Sequence, residues 1–189
     1  MKFRARTLNN SNSKYSKYNL FYVAVKYINK KFVMKILYIC THNRCRSILC
    51  EAITNASSNS SLEARSAGSQ PVGEVHPLSV KYLAERGYST DGLKSESWDD
   101  FEDYQPDIVI TVCDSAAGEA CPVYFGNSLK LHWGLEDPSK IEGSEEEKAQ
   151  AFYNTIDIIE KRVAALTDIV SRKLSIEEAK KALQEKGAQ

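Results

Sequence analysis

The sequence has no long hydrophobic segment and only a small number of scattered cysteines. No run approaches the roughly 18 consecutive apolar residues of a membrane-spanning helix, which excludes an integral membrane protein. The five cysteines among 189 residues are odd in number and irregularly spaced, and we find no signal peptide, which argues against a disulfide-stapled secreted domain. With 42% hydrophobic and 26% charged residues, the composition also excludes a chain that is disordered throughout.

Acidic residues are missing from one part of the chain. Residues 1–34 hold eight Lys or Arg and no Asp or Glu, although the formal net charge of the whole chain is zero. The remainder therefore carries 17 basic against 25 acidic residues, a net charge of −8. Because so acidic a body repels nucleic-acid phosphates, we expect neither nucleic-acid nor membrane partners, and any anion site must be local.

The basic N-terminal segment, residues 1–33, leaves two interpretations open. It is either a disordered extension of the organelle-transit type or a misassigned start, with Met34 opening the protein. Its apolar run at residues 20–25 is too short for a secretory signal. We expect a folded domain over residues 34–173, a helical tail over 174–189, and a cytoplasmic protein whose cysteines stay reduced.

Short apolar runs alternate with helical patterns along the rest of the chain. We predict strands over residues 35–40, 62–69, 107–113 and 128–133, and helices over 47–57, 77–86, from 144 onward and after Ser175, with a helical turn at 98–104. The apolar face of the first helix is Ile48, Leu49, Ala52, Ile53 and Ala56. That of the long helix is Phe152, Ile156, Ile159, Val163, Leu166 and Val170.

This order of elements predicts a doubly wound α/β domain, with a four-stranded parallel sheet and helices on both faces. Ligands of such domains bind beyond the carboxyl ends of the strands.

The first predicted strand ends at Cys40, and Arg46 follows six positions later, where a helix begins. The loop between them can curl so that its N–H groups converge, and the helix N-terminus adds partial positive charge. The planar guanidinium of Arg46 suits two oxygens of a tetrahedral oxyanion, and this environment favours Cys40 as a thiolate nucleophile. The predicted oxyanion-binding residues are Thr41, His42, Asn43, Arg44, Cys45, Arg46 and Ser47.

Two other interpretations of this segment are weaker. A buried structural cysteine beside a surface arginine would not need the strand–loop–helix frame. A zinc site on Cys40, His42 and Cys45 would need further ligands, and no paired Cys-x2-Cys or His-x3-His follows to complete a tetrahedral set. We expect His42 to be a loop residue and His132 to be a strand residue near the site.

A second pair of cysteines, Cys113 and Cys121, follows the third predicted strand. A helical linker would hold them about 12 Å apart, whereas a disulfide needs Cα atoms about 5.5 Å apart. Pairing therefore requires the linker to unwind; alternatively, the two cysteines are unrelated. Asp137, which precedes Pro138 after the last strand, is either a turn former or a proton donor for a leaving oxygen.

Three separate segments, in order, resemble the arsenate reductases built on the low-molecular-weight tyrosine phosphatase fold. The resemblance covers roughly residues 34–170, and the segments are ICTHNRCRSILCEA, TVCDSAAGEACPVYFG and LHWGLEDPS. It implies that Cys40 is the nucleophile, that Arg46 and the loop backbone bind the oxyanion, and that Ser47 supports the thiolate. It further implies that Asp137 is the general acid and that Cys113 and Cys121 are the second and third redox cysteines.

The resemblance also implies a mechanism for arsenic detoxification. Cys40 attacks arsenate, Cys113 displaces arsenite to form a Cys40–Cys113 disulfide, and Cys121 then forms a Cys113–Cys121 disulfide. Thioredoxin, or glutathione with glutaredoxin, would reduce the last disulfide. No cofactor is required, although Asn43, Glu51 and Ser66 match positions that hold a potassium ion in some members, with Glu96 as a fourth candidate. We expect a monomer and assign Cys50 no role.

Two alternative functions stay open. A low-molecular-weight phosphatase acting on phosphotyrosine would share Cys40, Arg46 and Asp137 but would not need Cys113 or Cys121. It would also be expected to carry tyrosines just after the Asp-Pro pair, where this chain has Ser139 and Lys140. A non-catalytic thiol sensor or arsenite-binding protein would need cysteines but neither Arg46 nor Asp137.

Overall fold

The computed structural model describes residues 33–57, 61–118, 123–172, 174 and 176–187. The N-terminal extension up to residue 32, Cys121 and Ser175 therefore lie outside the described residues. The strands are β1 (Met34–Cys40), β2 (Leu62–Gly68), β3 (Ile108–Thr111) and β4 (Leu129–His132). The α-helices are α1 (Arg46–Ala56), α2 (Pro77–Glu85), α3 (Asp114–Ala117), α4 (Glu145–Ser171) and α5 (Ile176–Gly187). Short 3-10 helices span Trp98–Tyr104, Val123–Phe125 and Pro138–Lys140.

The four strands form one parallel sheet in the order β2-β1-β3-β4. β1 lies inside the sheet and is almost entirely buried, as its continuous apolar sequence predicts. Its last residues pair with Gly68 of β2 and Thr111 of β3, so three strands end at one edge. The predicted doubly wound sheet is confirmed.

Helical segments cover both faces of the sheet. The Tyr38 hydroxyl lies 2.9 Å from that of Thr54, which places α1 on one face. Ile39 points to the other face, since strand side chains alternate. There it lines a depression together with Trp98 and the short helix α3. No helix among the described residues is long and apolar enough to cross a membrane.

The long helix α4 provides most of the helical core. All six predicted stripe residues are buried, and Ser144 and Glu147 form the expected capping box at its start. On α1 the prediction is wrong at one position, because Ala56 is exposed at the last turn. Helix α5 packs against α4 and β4 and buries Leu183, so it joins the same compact unit.

The third strand is shorter than predicted. Pairing with β4 ends at Thr111. The N–H of the next residue, Val112, still donates a 2.8 Å hydrogen bond to the Ile39 carbonyl of β1. Cys113 is therefore not a strand residue: it is the N-cap of α3. The short helix was not predicted, because four residues are too few to show helical periodicity.

Candidate active site

The loop between β1 and α1 turns its carbonyl groups outward. The carbonyls of Thr41, His42 and Arg44 accept hydrogen bonds from the backbone N–H groups of residues 70, 72 and 76, at 2.8, 3.3 and 2.8 Å. Because a trans peptide places its C=O and N–H on opposite sides, the loop N–H groups face inward. Asn43 adopts a left-handed conformation (φ 44°), which lets the loop close around a common centre.

Gly68, at the end of β2, makes this closure possible. A Cβ at this position would lie 2.6 Å from the Thr41 carbonyl oxygen and 3.0 Å from the Asn43 nitrogen. No side chain fits at such distances, so the loop can approach β2 only across a glycine. Gly68 was not predicted as a site residue, because its contacts with the loop exist only in the tertiary structure.

A series of hydrogen bonds runs from Cys40 into the core. The Ser47 hydroxyl lies 3.0 Å from Cys40 Sγ and accepts a hydrogen bond from Asn43 Nδ2 at 2.9 Å, which leaves its own proton for the sulfur. Asn43 Nδ2 also donates to Ser66 Oγ at 2.9 Å, and Ser66 donates to Glu51 at 2.6 Å. These hydrogen bonds hold Cys40 in place, and its side chain is only 4% exposed. The Ser47 hydroxyl can donate to the sulfur, which would stabilise a thiolate.

The guanidinium of Arg46 is held in place by groups that follow β4. Nη1 donates to the Leu135 carbonyl at 3.1 Å, and Nη2 donates to Asp137 Oδ2 at 2.9 Å. Its Nε is buried and has no hydrogen-bond partner within the described part of the chain. An entering oxyanion can therefore take up the Nε–H donor and compete for Nη2.

The carboxylate of Asp137 receives donors on both oxygens. Besides Arg46, the backbone N–H and the hydroxyl of Ser139 donate to Oδ1, at 3.1 and 2.6 Å. All three contacts suit an ionised carboxylate, so proton donation requires Asp137 to leave Arg46 and take up a proton. Ser139 was not predicted as a site residue, although Asp-Pro-Ser is a pattern in which the Asp side chain caps its own turn.

These groups surround a cavity of about 230 Å³ whose floor is buried and whose rim is exposed. Its lining residues are Cys40, His42, Arg44, Cys45, Arg46, His76, Asp137, Ser139 and Lys140. His132 lies elsewhere, with its ring nitrogens 2.9 Å from Thr111 Oγ1 and 3.2 Å from Asp114 Oδ1. His132 therefore ends β4, as predicted, and lies beside α3 rather than lining this cavity.

Cys113 lies next to the loop that carries Cys40. Its sulfur is 3.6 Å from Thr41 Oγ1 and accepts a hydrogen bond from the Ala116 N–H at 3.4 Å. It is 3% exposed and is a free thiol. The register of β1 and β3 thus brings two buried thiols to the same sheet edge. Its predicted partner, Cys121, lies outside the described residues.

Two further thiols, Cys45 and Cys50, are buried near this edge. Burial raises the pKa of Cys45 to about 12 and raises that of Cys50 well above its ordinary value. Both therefore stay protonated near neutral pH, which fits packing rather than chemistry.

The three side chains predicted to hold potassium do lie together. Asn43 turns its amide nitrogen toward Ser66, and its oxygen accepts a 2.7 Å hydrogen bond from the Glu96 N–H. Burial raises the pKa of Glu51, which disfavours a bare carboxylate there. The group forms a closed hydrogen-bond chain rather than an oxygen cage, and we derive no step through an ion. No cluster of three or more His, Cys, Asp or Glu suited to a metal occurs among the described residues. Potassium binding stays a prediction.

The chain is similar to proteins of known family. It is 34% identical to an arsenate reductase of Halalkalibacterium halodurans over 75% of this chain and 98% of that protein. It is 33% identical to an arsenate reductase of Bacillus subtilis over 68% and 92% of the two chains.

Solved structures show the same fold. A thioredoxin-dependent arsenate reductase of Corynebacterium glutamicum superposes with a TM-score of 0.60 and 29% identity over 85% of this chain and 73% of that one. A low molecular weight phosphotyrosine phosphatase of Vibrio cholerae, at 18% identity, superposes with a TM-score of 0.62 over 75% and 99% of the two chains, which supports the fold alone. The profile of the low molecular weight phosphotyrosine protein phosphatases matches residues 35–181, and the chain belongs to that family.

Proposed function

We propose that this protein reduces arsenate to arsenite. The observation that carries the proposal is the buried thiol of Cys113, which lies against Thr41 and hence beside the Cys40 loop. A phosphatase hydrolyses its cysteine intermediate with water and needs no second thiol. A reductase must resolve its intermediate with one. The similarity to several arsenate reductases supports the same conclusion.

In the first step the Cys40 thiolate attacks arsenic. A sulfur–arsenic bond forms, an arsenic–oxygen bond breaks, and the departing oxygen leaves as water after Asp137 protonates it. The inward N–H groups of the loop and the Nε–H of Arg46 hold the other oxygens. Because the bound oxyanion competes for the Arg46 Nη2 donor, Asp137 is released, takes up a proton from solvent and delivers it to the departing oxygen.

In the second step the Cys113 thiolate attacks the Cys40 sulfur. A disulfide bond forms, the sulfur–arsenic bond breaks, and its electron pair stays on arsenic, which is reduced from As(V) to As(III) and leaves as arsenite. The two cysteines are oxidised, so the electrons balance.

In the third step Cys121 displaces Cys40 from Cys113, which leaves a Cys113–Cys121 disulfide. Helix α3 must unwind to allow this, and with only four residues, ending before Gly118, it has few hydrogen bonds to lose. A thioredoxin-type protein, or glutathione with glutaredoxin, then reduces the disulfide. This relay needs a reducing compartment, so we place the enzyme in the cytoplasm. We also propose that it acts in arsenic detoxification as a monomer.

The variant Cys113→Ser tests the proposal cleanly. Serine is a good N-cap, so α3 keeps the hydrogen bond from Ala116 while the thiol is lost. We expect arsenate turnover to stop while slow hydrolysis of p-nitrophenyl phosphate continues, with Cys50→Ala as a matched control that keeps both activities. Full arsenate turnover by Cys113→Ser with a thioredoxin system would contradict the relay.

Hydrolysis of phosphotyrosine is the second candidate function, and the shared family favours it. Against it, the cavity wall after Asp137 carries Ser139 and Lys140 rather than tyrosines on which a substrate ring could stack. A kcat/KM for phosphotyrosine above that for arsenate would replace our proposal with this one. A non-catalytic thiol sensor would keep its behaviour in Arg46→Ala, whereas we expect that variant to lose arsenate turnover.

A further inference from the structure

We propose that the side chain of Arg44 is a second oxyanion-binding guanidinium in the pocket. Arg44 lines the same cavity as Cys40, Arg46 and Asp137. Its side-chain Nε is buried, and among the described residues nothing accepts a hydrogen bond from it. A buried N–H donor without a partner is costly, and an oxyanion in this cavity would supply the missing acceptor.

Charge balance in the pocket calls for such a group. The Arg46 guanidinium pairs with Asp137 at 2.9 Å, so an oxyanion gains its full charge only by displacing that carboxylate. The floor of the same cavity holds Cys40, which reacts as a thiolate in the proposed mechanism. A divalent oxyanion would add two further negative charges beside that thiolate. One arginine cannot offset this, so a second cation within reach of the ligand lowers the electrostatic cost of binding.

Two other basic groups around the cavity, Lys140 and His76, are less suited to this role. Lys140 is exposed on the rim, where solvent screens its charge. His76 has a lowered pKa, first because of burial and then because of the charge on Arg44, so it is largely neutral near pH 7. Its Nδ1 also already accepts the Leu78 N–H, as the N-cap of α2. Arg44 alone combines a permanent charge with a buried, free donor among these three.

The position of Arg44 is fixed independently of any ligand. Its carbonyl accepts the His76 N–H at 2.8 Å, which anchors the backbone of residue 44 between the loop and the start of α2. His76 in turn stacks on Phe152 of α4, with ring centroids 6.2 Å apart. A substitution of the Arg44 side chain therefore leaves the loop backbone supported, which makes the variant suitable for a binding test.

The experiment measures oxyanion binding without requiring turnover. Inorganic phosphate, a non-reducible mimic of arsenate, protects Cys40 from iodoacetamide, and the half-protecting concentration gives its affinity. We expect Arg44→Met to raise that concentration about tenfold, the usual effect of losing a charge-assisted hydrogen bond at a partly exposed site. Arg44→Lys keeps the charge but loses the planar guanidinium. Its half-protecting phosphate concentration should lie between those of the parent and Arg44→Met.

The matched control is Arg172→Met, which removes one arginine charge far from the cavity. Arg172 lies at the C-terminal end of α4, about 30 Å along the helix axis from Phe152, and forms an ion pair with Asp168. We expect this variant to bind phosphate like the parent. The rate of Cys40 alkylation without phosphate, together with the melting temperature, checks that each variant is folded with its loop intact.

Steady-state kinetics add a second readout. The choice of arsenate as the ligand rests on the proposed function. We expect Arg44→Met to raise the KM for arsenate by the same factor as the half-protecting phosphate concentration, with kcat changed less than threefold. If a folded Arg44→Met binds phosphate within twofold of the parent, Arg44 has no part in oxyanion binding. If Arg44→Met weakens phosphate binding as expected but the parent protein does not reduce arsenate, the binding inference stands and the proposed function fails.

Discussion

At the scale of single residues, Asp137 occupies two roles that exclude each other in time. In the structure it accepts hydrogen bonds from Arg46 and Ser139, whereas the first step of the proposed mechanism needs it as a proton donor. We predict that Asp137→Asn slows formation of the Cys40–arsenic intermediate by about 10²–10⁴-fold, because the amide offers no acidic proton.

Single-turnover mixing with arsenate measures this step separately from the later disulfide exchange. The neighbouring Glu136 is exposed and does not line the cavity, so Glu136→Gln serves as the control and should react at the parent rate. An unchanged rate in Asp137→Asn would reduce Asp137 to a turn-forming residue.

The thiols of this site should differ sharply in reactivity. With a pKa of about 12, Cys45 is less than about 0.1% thiolate at pH 8, since each pH unit below the pKa reduces the ionised fraction tenfold. We predict that limited iodoacetamide at pH 8 modifies Cys40 and leaves Cys45 and Cys50 free, whereas unfolding in urea exposes all of them. Peptide mapping reads the sites, and early modification of Cys45 in folded protein would contradict its burial.

At the scale of elements, the end of β2 controls the shape of the oxyanion loop. We predict that Gly68→Ala destabilises the protein by about 1–3 kcal/mol, because its Cβ would overlap the Thr41 carbonyl and force the loop away. The displaced N–H groups should also bind phosphate more weakly, as measured by protection of Cys40 from alkylation.

Gly118→Ala is the matched control for this substitution. Its Cβ would lie no closer than 3.6 Å to the Ser115 carbonyl oxygen, an ordinary contact, and its backbone is in the right-handed helical region. A Gly68→Ala protein as stable as Gly118→Ala would mean that the loop tolerates a wider approach to β2.

The elements themselves were largely predictable, since their signals are local. The apolar run of β1, the Pro77 start of α2 and the Ser144 capping box each lie within a few residues of sequence. The end of β3 was not predictable, because Val112 and Cys113 are as apolar as a strand requires. What ends the strand is the start of α3 and the lack of further β4 pairing.

The candidate site divides in the same way. The Cys40–Arg46 loop and Asp137 follow from spacing and from their places after strands. The Leu135 carbonyl and the Ser139 hydroxyl act on Arg46 and Asp137 across 89 and two residues respectively, and the first of these is visible only in three dimensions. Gly68 and the buried Nε of Arg44 are likewise tertiary facts.

At the scale of the whole molecule, positive groups are concentrated at one edge of the sheet, although the chain beyond residue 34 carries a net charge of −8. Three strands end there, the first turn of α1 directs its N–H groups to the same point, and Arg44 and Arg46 lie on either side of Cys45. The remaining surface can be acidic without interfering, because charges more than about 10 Å away are screened at moderate ionic strength.

The C-terminal helix also belongs to this unit. Leu183 on α5 is 6% exposed and joins the core cluster, and α5 packs against α4 and β4. We predict that Leu183→Ala lowers the free energy of unfolding by about 2–3 kcal/mol, as expected when a leucine at the edge of a core is truncated.

The matched control is Lys181→Ala, an exposed position on the same helix, which should change the free energy of unfolding by less than about 0.5 kcal/mol. Urea unfolding followed by circular dichroism measures both variants, and p-nitrophenyl phosphate hydrolysis by the folded Leu183→Ala protein should match the parent, because α5 contributes no residue to the oxyanion cavity. A loss below 0.5 kcal/mol for Leu183→Ala would mean that α5 is a detachable tail whose packing contributes nothing to the stability of the sheet.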